Sequence, residues 1–87
     1  MLLALDVGNT NTKLGLYRLE TAAPELAANW RLTTHRTQTV DEYSALFINL
    51  FHMKGIDPAQ VQHIIISSVV PPLDSTLRQV CETAFHI

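Results

Sequence analysis

The sequence predicts one small α/β domain built on a mixed β-sheet, and three observations carry that prediction. The first part of the chain holds short apolar or branched runs separated by turn residues, which is typical of strands. Apolar residues spaced three and four apart follow, and they indicate helices. A further apolar run lies between the two helical segments. The predicted element order is therefore βββαβα, with a parallel strand reached through the first helix.

Length, composition and charge exclude several classes of protein. The 87 residues allow one domain, and the net charge of −2 argues against a nucleic-acid-binding module. One cysteine cannot form an internal disulfide, and the four histidines lack metal-ligand spacing. No apolar run approaches the ~18 residues of a membrane span, and the N-terminus lacks a signal peptide's basic region. We expect a cytoplasmic protein that binds neither nucleic acid nor membrane.

The first three elements are predicted to be strands. Residues 2–7 form a short apolar run that ends at the turn residues 8–11. Residues 12–19 carry branched and aromatic side chains, and so short a turn between the two runs predicts a hairpin. Residues 21–24 are predicted to be a loop, and residues 26–34 a third strand.

The first helix is predicted from its capping signal. Thr39 and Glu42 match a capping box, in which each side chain accepts a hydrogen bond from the other residue's backbone N–H. Gly55 is predicted to end the helix by adopting a left-handed backbone conformation, and Pro58 lies just beyond it. One apolar helical face follows the capping box, formed by Tyr43, Leu46, Phe47, Leu50 and Phe51.

The last two elements are a strand and a second helix. Residues 61–70 include three consecutive isoleucines, which predicts a strand buried on both faces. Pro71 and Pro72 end that strand. A second apolar helical face follows, formed by Leu73, Leu77, Val80, Cys81 and Ala84.

The segment that could carry chemistry is residues 6–12, Asp-Val-Gly-Asn-Thr-Asn-Thr. Asp6 ends a buried strand, so we expect a fixed, partly desolvated carboxylate that could hold Mg²⁺ directly or through water. Gly8 permits close approach of a ligand to the backbone. Backbone amides of the turn, the hydroxyls of Thr10 and Thr12, and the amide of Asn11 could face phosphate oxygens. Neither GxxxxGK[ST] nor GxGxxG is present.

The same residues also fit a tight turn with no ligand, because Asn and Gly favour turns for purely local reasons. Other polar residues have similar structural explanations. Arg31 and Arg36 could support an interface or a phosphate, although solvated surface is the preferred interpretation. Ser67 and Ser68 lie where α/β folds place ligands, and they could shape the wall of a cleft.

Four stretches together resemble the type III pantothenate kinase family. Residues 3–12, Leu-Ala-Leu-Asp-Val-Gly-Asn-Thr-Asn-Thr, look like the family's first phosphate motif. Residues 30–34, 41–43 and 65–72 agree with the family in order and spacing. The resemblance implies a ribonuclease H-like, actin-like ATPase half-domain. Lys13 is a departure, since an apolar residue is common there; it could touch a phosphate, but a solvated strand lysine is the preferred interpretation.

The resemblance also implies an activity and a site. The family phosphorylates pantothenate with ATP, the first step towards coenzyme A, and Asp6 would serve magnesium. A monovalent cation, K⁺ or NH₄⁺, would bind outside this sequence. The residues implied to surround the ATP phosphates are Asp6, Val7, Gly8, Asn9, Thr10, Asn11, Thr12 and Lys13.

The family's catalytic base lies in a Gly-x-Asp-Arg segment that is absent here, so it is expected beyond Ile87. Residues 1–87 would then be the N-terminal part of the first ribonuclease H-like domain, inactive alone, with the rest of that domain and the second domain absent. A full-length protein is expected to be a homodimer. Two alternatives stay open: a non-catalytic nucleotide-binding or regulatory relative, and a structural half-domain that pairs with another chain.

Overall fold

The computed structural model describes residues 1–20 and 22–87, and its elements follow the predicted order βββαβα. Of the predicted loop 21–24, Thr21 lies outside the described residues, while residues 22–24 belong to no helix or strand. A short 3₁₀ turn, Pro58–Gln60, precedes the fourth strand. The elements are β1 (Leu2–Val7), β2 (Asn11–Arg18), β3 (Glu25–Thr33), α1 (Val40–Met53), β4 (His63–Ser68) and α2 (Pro71–Phe85).

The four strands form one mixed sheet in the order β3-β2-β1-β4. β1 pairs antiparallel with β2 and parallel with β4, and β2 pairs antiparallel with β3. Val7 therefore lies opposite Thr12 on one side and Ser68 on the other. The carboxyl ends of β1 and β4 meet at one edge of the sheet, which is where open α/β sheets bind ligands.

Both helices pack on the same face of the sheet. Phe51 of α1 is fully buried; its ring centroid lies 4.9 Å from that of Trp30 in β3 and 5.3 Å from that of Phe85 in α2. Stacked and tilted aromatic contacts of this kind stabilise the fold beyond the contribution of the area that the rings bury. The other buried side chains of this core include Leu3, Leu5, Val7, Leu14, Leu16, Tyr43, Phe47, Val70, Leu73, Leu77 and Val80.

The prediction that β4 is buried on both faces is wrong. Ile64 and Ile66 pack against the core, but Ile65 is 57% exposed. Successive side chains in a strand point to opposite faces, and the described helices cover only one face of the sheet. We call the uncovered side the open face.

The predicted helix ends are confirmed. Thr39 and Glu42 form the capping box, with N–H···O distances of 2.8 and 3.1 Å. Gly55 follows α1 with φ +68°, a backbone conformation that favours glycine. Pro71 and Pro72 do more than end β4, because they occupy the first turn of α2, where a missing N–H costs nothing. Neither described helix has the length and apolar character that crossing a bilayer requires.

Candidate functional site

The hairpin turn, residues 8–10, joins β1 to β2 at the carboxyl end of β1. Gly8 N–H donates to Asn11 O at 2.9 Å, which closes the turn. A Cβ at position 8 would lie 3.1 Å from the same oxygen, so a side chain there would crowd the closure. Val69 N–H donates to Val7 O at 3.0 Å, so the end of β4 lies beside the turn.

The chain leaving β3 braces the hairpin turn through Thr34. The Thr34 hydroxyl donates to Gly8 O at 2.7 Å, and the Thr34 N–H donates to Thr10 O at 2.9 Å. The oxygens of the Thr34 and Thr12 hydroxyls are 2.8 Å apart. Because Thr34 gives its single hydroxyl proton to Gly8, Thr12 is the donor in that contact. The backbone of the turn is thus held from one side by a chain of two hydroxyls.

The predicted phosphate-binding residues divide into two groups. Thr12 and Val7 are each 1% exposed, and the Thr12 hydroxyl proton is used by Thr34. Their side chains support the turn from within and do not face solvent. The sequence interpretation had instead predicted that the Thr12 hydroxyl could face a phosphate. Gly8 is half-buried. The exposed members of the predicted set are Asp6, Asn9, Thr10, Asn11 and Lys13.

Arg36 contacts the hairpin turn, which the sequence interpretation did not favour. Its Nη2 donates to Asn9 Oδ1 at 2.6 Å. The segment that carries Arg36 is itself fixed by α1. The buried Tyr43 hydroxyl donates to His35 O at 2.7 Å and accepts from His35 N–H at 3.0 Å. Residues 34–36 therefore connect the helical layer to the turn.

Asp6 lies in a row of polar side chains that crosses the whole sheet. It pairs with Lys13 of β2, which pairs in turn with Arg31 of β3, and Ser67 of β4 is its neighbour on the other side. All four are exposed on the open face. The expected partial desolvation of Asp6 is therefore not observed, because no described element covers that face. Asp6, Lys13 and Arg31 line a shallow cleft of about 350 Å³ that also includes Gly15, Tyr17 and Asn29.

A divalent cation could bind at Asp6 only with help from other ligands. The described residues contain no group of three or more His, Cys, Asp or Glu side chains that could hold a metal ion. Mg²⁺ often binds one or two carboxylates together with substrate phosphates and water, so a single exposed carboxylate beside the turn fits that donor set.

Two other polar candidates have local roles. The Ser68 hydroxyl accepts from Val70 N–H at 3.0 Å and so closes the end of β4. Cys81 is buried on α2, and burial raises the pKa of its thiol, which therefore stays protonated and unreactive at neutral pH. The predicted packing role of Cys81 agrees with this environment.

Comparison with known proteins identifies relatives over the whole chain. The sequence profile of the type III pantothenate kinase family matches residues 2–87. Proteins named type III pantothenate kinase are similar to this chain. One from Koribacter versatilis (strain Ellin345) is 56% identical over 93 residues, and the match covers 100% of this chain and 34% of the relative. Others from Roseiflexus sp. (strain RS-1) and Anaeromyxobacter sp. (strain Fw109-5) are 47% and 49% identical, covering 100% of this chain and 32% and 33% of those relatives. The chain thus spans about a third of the curated relatives' length.

Proposed function

Because the chain belongs to the type III pantothenate kinase family, we propose that it supplies the ATP-phosphate turn of an enzyme that phosphorylates pantothenate. The product would be 4'-phosphopantothenate, and the reaction the first step of coenzyme A biosynthesis. Within that enzyme, residues 1–87 would form the N-terminal part of the first ribonuclease H-like domain. The general base that accepts the pantothenate hydroxyl proton would come from residues outside this sequence.

One observation carries the proposal: a braced hairpin turn lies beside an exposed carboxylate, where the carboxyl ends of β1 and β4 meet. Phosphoryl transfer depends mainly on positioning and on neutralising the charge of the phosphates. The exposed turn residues Asn9 and Thr10 supply neutral donors to phosphate oxygens. Asp6 supplies the anionic anchor for the metal that accompanies the nucleotide.

Magnesium, when bound with ATP, would neutralise phosphate charge and fix the geometry of the transferred group. Asp6 would hold it directly or through water. The Asp6 carboxylate lies on the open face, so it is accessible to a ligand that binds in the cleft. A monovalent cation, a homodimeric full-length protein and a cytoplasmic location are further expectations from the family resemblance.

Lys13 and Arg31 would add positive charge beside the metal anchor. Both lie on the open face in the same cross-strand row as Asp6. ATP carries several negative charges on its phosphates, so two cations next to one carboxylate give this part of the cleft the sign that a nucleotide requires. We therefore include Lys13 among the phosphate contacts, with Arg31 as its neighbour.

The test is a chimera in which this chain replaces the matching N-terminal third of the Koribacter versatilis relative. Release of ADP is measured in a coupled assay with ATP, Mg²⁺ and pantothenate. We expect pantothenate-dependent ADP release from the chimera, and at least about a hundredfold less when Asp6 is replaced by Asn. A folded chimera that binds Mg·ATP but forms no product would support a non-catalytic nucleotide-binding role. A folded chimera that binds no nucleotide would contradict the proposal.

A further inference from the structure

Thr34 makes two hydrogen bonds with the hairpin turn and one with Thr12 of β2. Its hydroxyl bonds both Gly8 O and the Thr12 hydroxyl, and its N–H bonds Thr10 O. Thr34 is half-buried and follows the last residue of β3. The neighbouring Thr33 is exposed.

We propose that Thr34 is a positioning residue that aims the Asn9 backbone N–H at the bound phosphates, an inference that rests on the proposed function. The described peptide bonds are all trans. In a planar trans peptide, the C=O of one residue and the N–H of the next point in opposite directions. The Thr34 hydroxyl draws the Gly8 C=O towards β3, so the Asn9 N–H must point away from that bond.

Arg36 adds a second constraint on the same residue. Its guanidinium donates to Asn9 Oδ1 at 2.6 Å, so the Asn9 side chain is held on the side of residues 34–36. With its side chain held by Arg36 and its peptide plane held by Thr34, Asn9 has little freedom to turn its N–H elsewhere. A donor that is oriented before the ligand arrives loses less entropy when it binds.

The support for Thr34 extends into the core. Residue 35 is clamped at both its C=O and its N–H by the hydroxyl of Tyr43, which is 1% exposed. Thr34 is therefore attached to a rigid helix on one side and to the hairpin turn on the other. A mobile loop could make the same hydrogen bond, but it could not fix the direction of the Gly8–Asn9 peptide as firmly.

The test compares Thr34→Val, which removes the hydroxyl and keeps the shape, with Thr34→Ser, which restores the hydroxyl. Thr33→Val is the matched control, because it makes the same chemical change at the adjacent exposed position. Two quantities are measured for each variant of the chain: the dissociation constant for Mg·ATP and the ¹³C chemical shift of the Gly8 carbonyl. Urea unfolding shows what fraction of each variant is folded, and dissociation constants are corrected for it.

We expect Thr34→Val to weaken Mg·ATP binding by roughly tenfold, the usual scale for losing a hydrogen bond that orients a ligand contact. The Gly8 carbonyl shift should move upfield, as it does when a carbonyl loses a donor. Thr34→Ser should restore both quantities, and Thr33→Val should change neither. Thr12→Val should add little in the Thr34→Val background, because Thr12 acts on the turn through Thr34.

Unchanged affinity or an unchanged Gly8 carbonyl shift in folded Thr34→Val would overturn the inference. Equal weakening by Thr33→Val would also overturn it, because a general effect on β3 would then explain the loss. Failure of the unmodified chain to bind Mg·ATP would count against the proposed function instead. In that case the Gly8 carbonyl shift still tests whether Thr34 orients the peptide.

Discussion

The alternation of side chains along β1 determines which face of the sheet Asp6 occupies. Leu3, Leu5 and Val7 enter the core, so Asp6 must face the opposite side of the sheet. A slip of one residue in the pairing of β1 would bury the carboxylate and expose three apolar side chains. The same burial that stabilises the sheet therefore keeps the Asp6 carboxylate available to a ligand.

Asp6→Asn is expected to lower turnover severely while leaving the fold intact. Losing the charge that anchors the metal should cost several kcal/mol of transition-state stabilisation, or at least about a hundredfold in turnover. The free energy of unfolding should change by less than about 0.5 kcal/mol, because Asp6 is exposed. ADP release by the chimera and urea unfolding of the chain measure the two effects.

Asp41→Asn is the control, since it removes an equivalent charge from an exposed position at the start of α1. It should leave turnover near that of the unmodified chimera. Near-normal turnover of Asp6→Asn would show that the metal, if it binds, is anchored elsewhere.

Individual side chains of the site were predictable only in part. Gly8 and the position of Asp6 follow from local patterns. The inward side chain of Thr12 also has a sequence signal, because Thr12 shares its parity with Leu14 and Leu16, and both are buried. The bond between Arg36 and Asn9 has no such signal, because it joins residues 27 apart through two irregular segments.

At the level of elements, α1 depends on its capping box. The Thr39 N–H donates to Glu42 Oε1, and this hydrogen bond, with a second from the Thr39 side chain, lowers the pKa of the Glu42 carboxyl below its usual 4.5. A carboxyl whose pKa is lower in the folded protein stabilises the fold above its unfolded pKa. That contribution is lost as the pH falls through the folded pKa.

Glu42→Ala should therefore destabilise the chain at pH 7 and have a smaller effect at pH 3, because the stabilising charge of Glu42 is progressively lost as the pH falls below its unfolded pKa. Urea unfolding of both proteins at the two pH values measures this difference. Thr39→Ala tests the other half of the capping box and should cost about 1 kcal/mol at pH 7. If Glu42→Ala destabilised the chain equally at both pH values, the charge of the Glu42 carboxylate would not contribute to the free energy of unfolding.

The two faces of β4 give a second prediction at this scale. Ile66→Ala should lower the free energy of unfolding by about 2 kcal/mol, because Ile66 packs against the core. Ile65→Ala is the matched control on the same strand and should cost less than about 1 kcal/mol, since Ile65 is 57% exposed. Equal losses would mean that the open face is covered in solution.

Element order was predictable because each helix and strand carries its own local signal. The capping box, the Gly55 stop and the proline pair all lie where the pattern indicated, and no strand bound differs by more than two residues. The exposure of Ile65 was not predictable in the same way. An apolar run such as residues 64–66 indicates a buried strand, but which faces are covered depends on the packing of distant elements.

In the molecule as a whole, the helical side of the sheet forms the core, and the opposite side carries the candidate site. The helices and the buried face of the sheet supply the core, and Phe51 joins both helices to β3 through its aromatic contacts. The open face carries the polar row of Ser67, Asp6, Lys13 and Arg31, next to the hairpin turn. Residues 34–36 link the two layers, so the conformation of the turn depends on the packing of α1.

The most direct test of this account is a titration of the ¹⁵N-labelled chain with Mg·ATP, followed through the backbone amide signals. We predict that the signals of residues 8–10 and of Asp6 and Lys13 shift together with one dissociation constant, and that Asp6→Asn abolishes these shifts. Shifts confined to the helices, or no shifts at millimolar Mg·ATP, would contradict the claim that the hairpin turn holds the phosphates of a nucleotide.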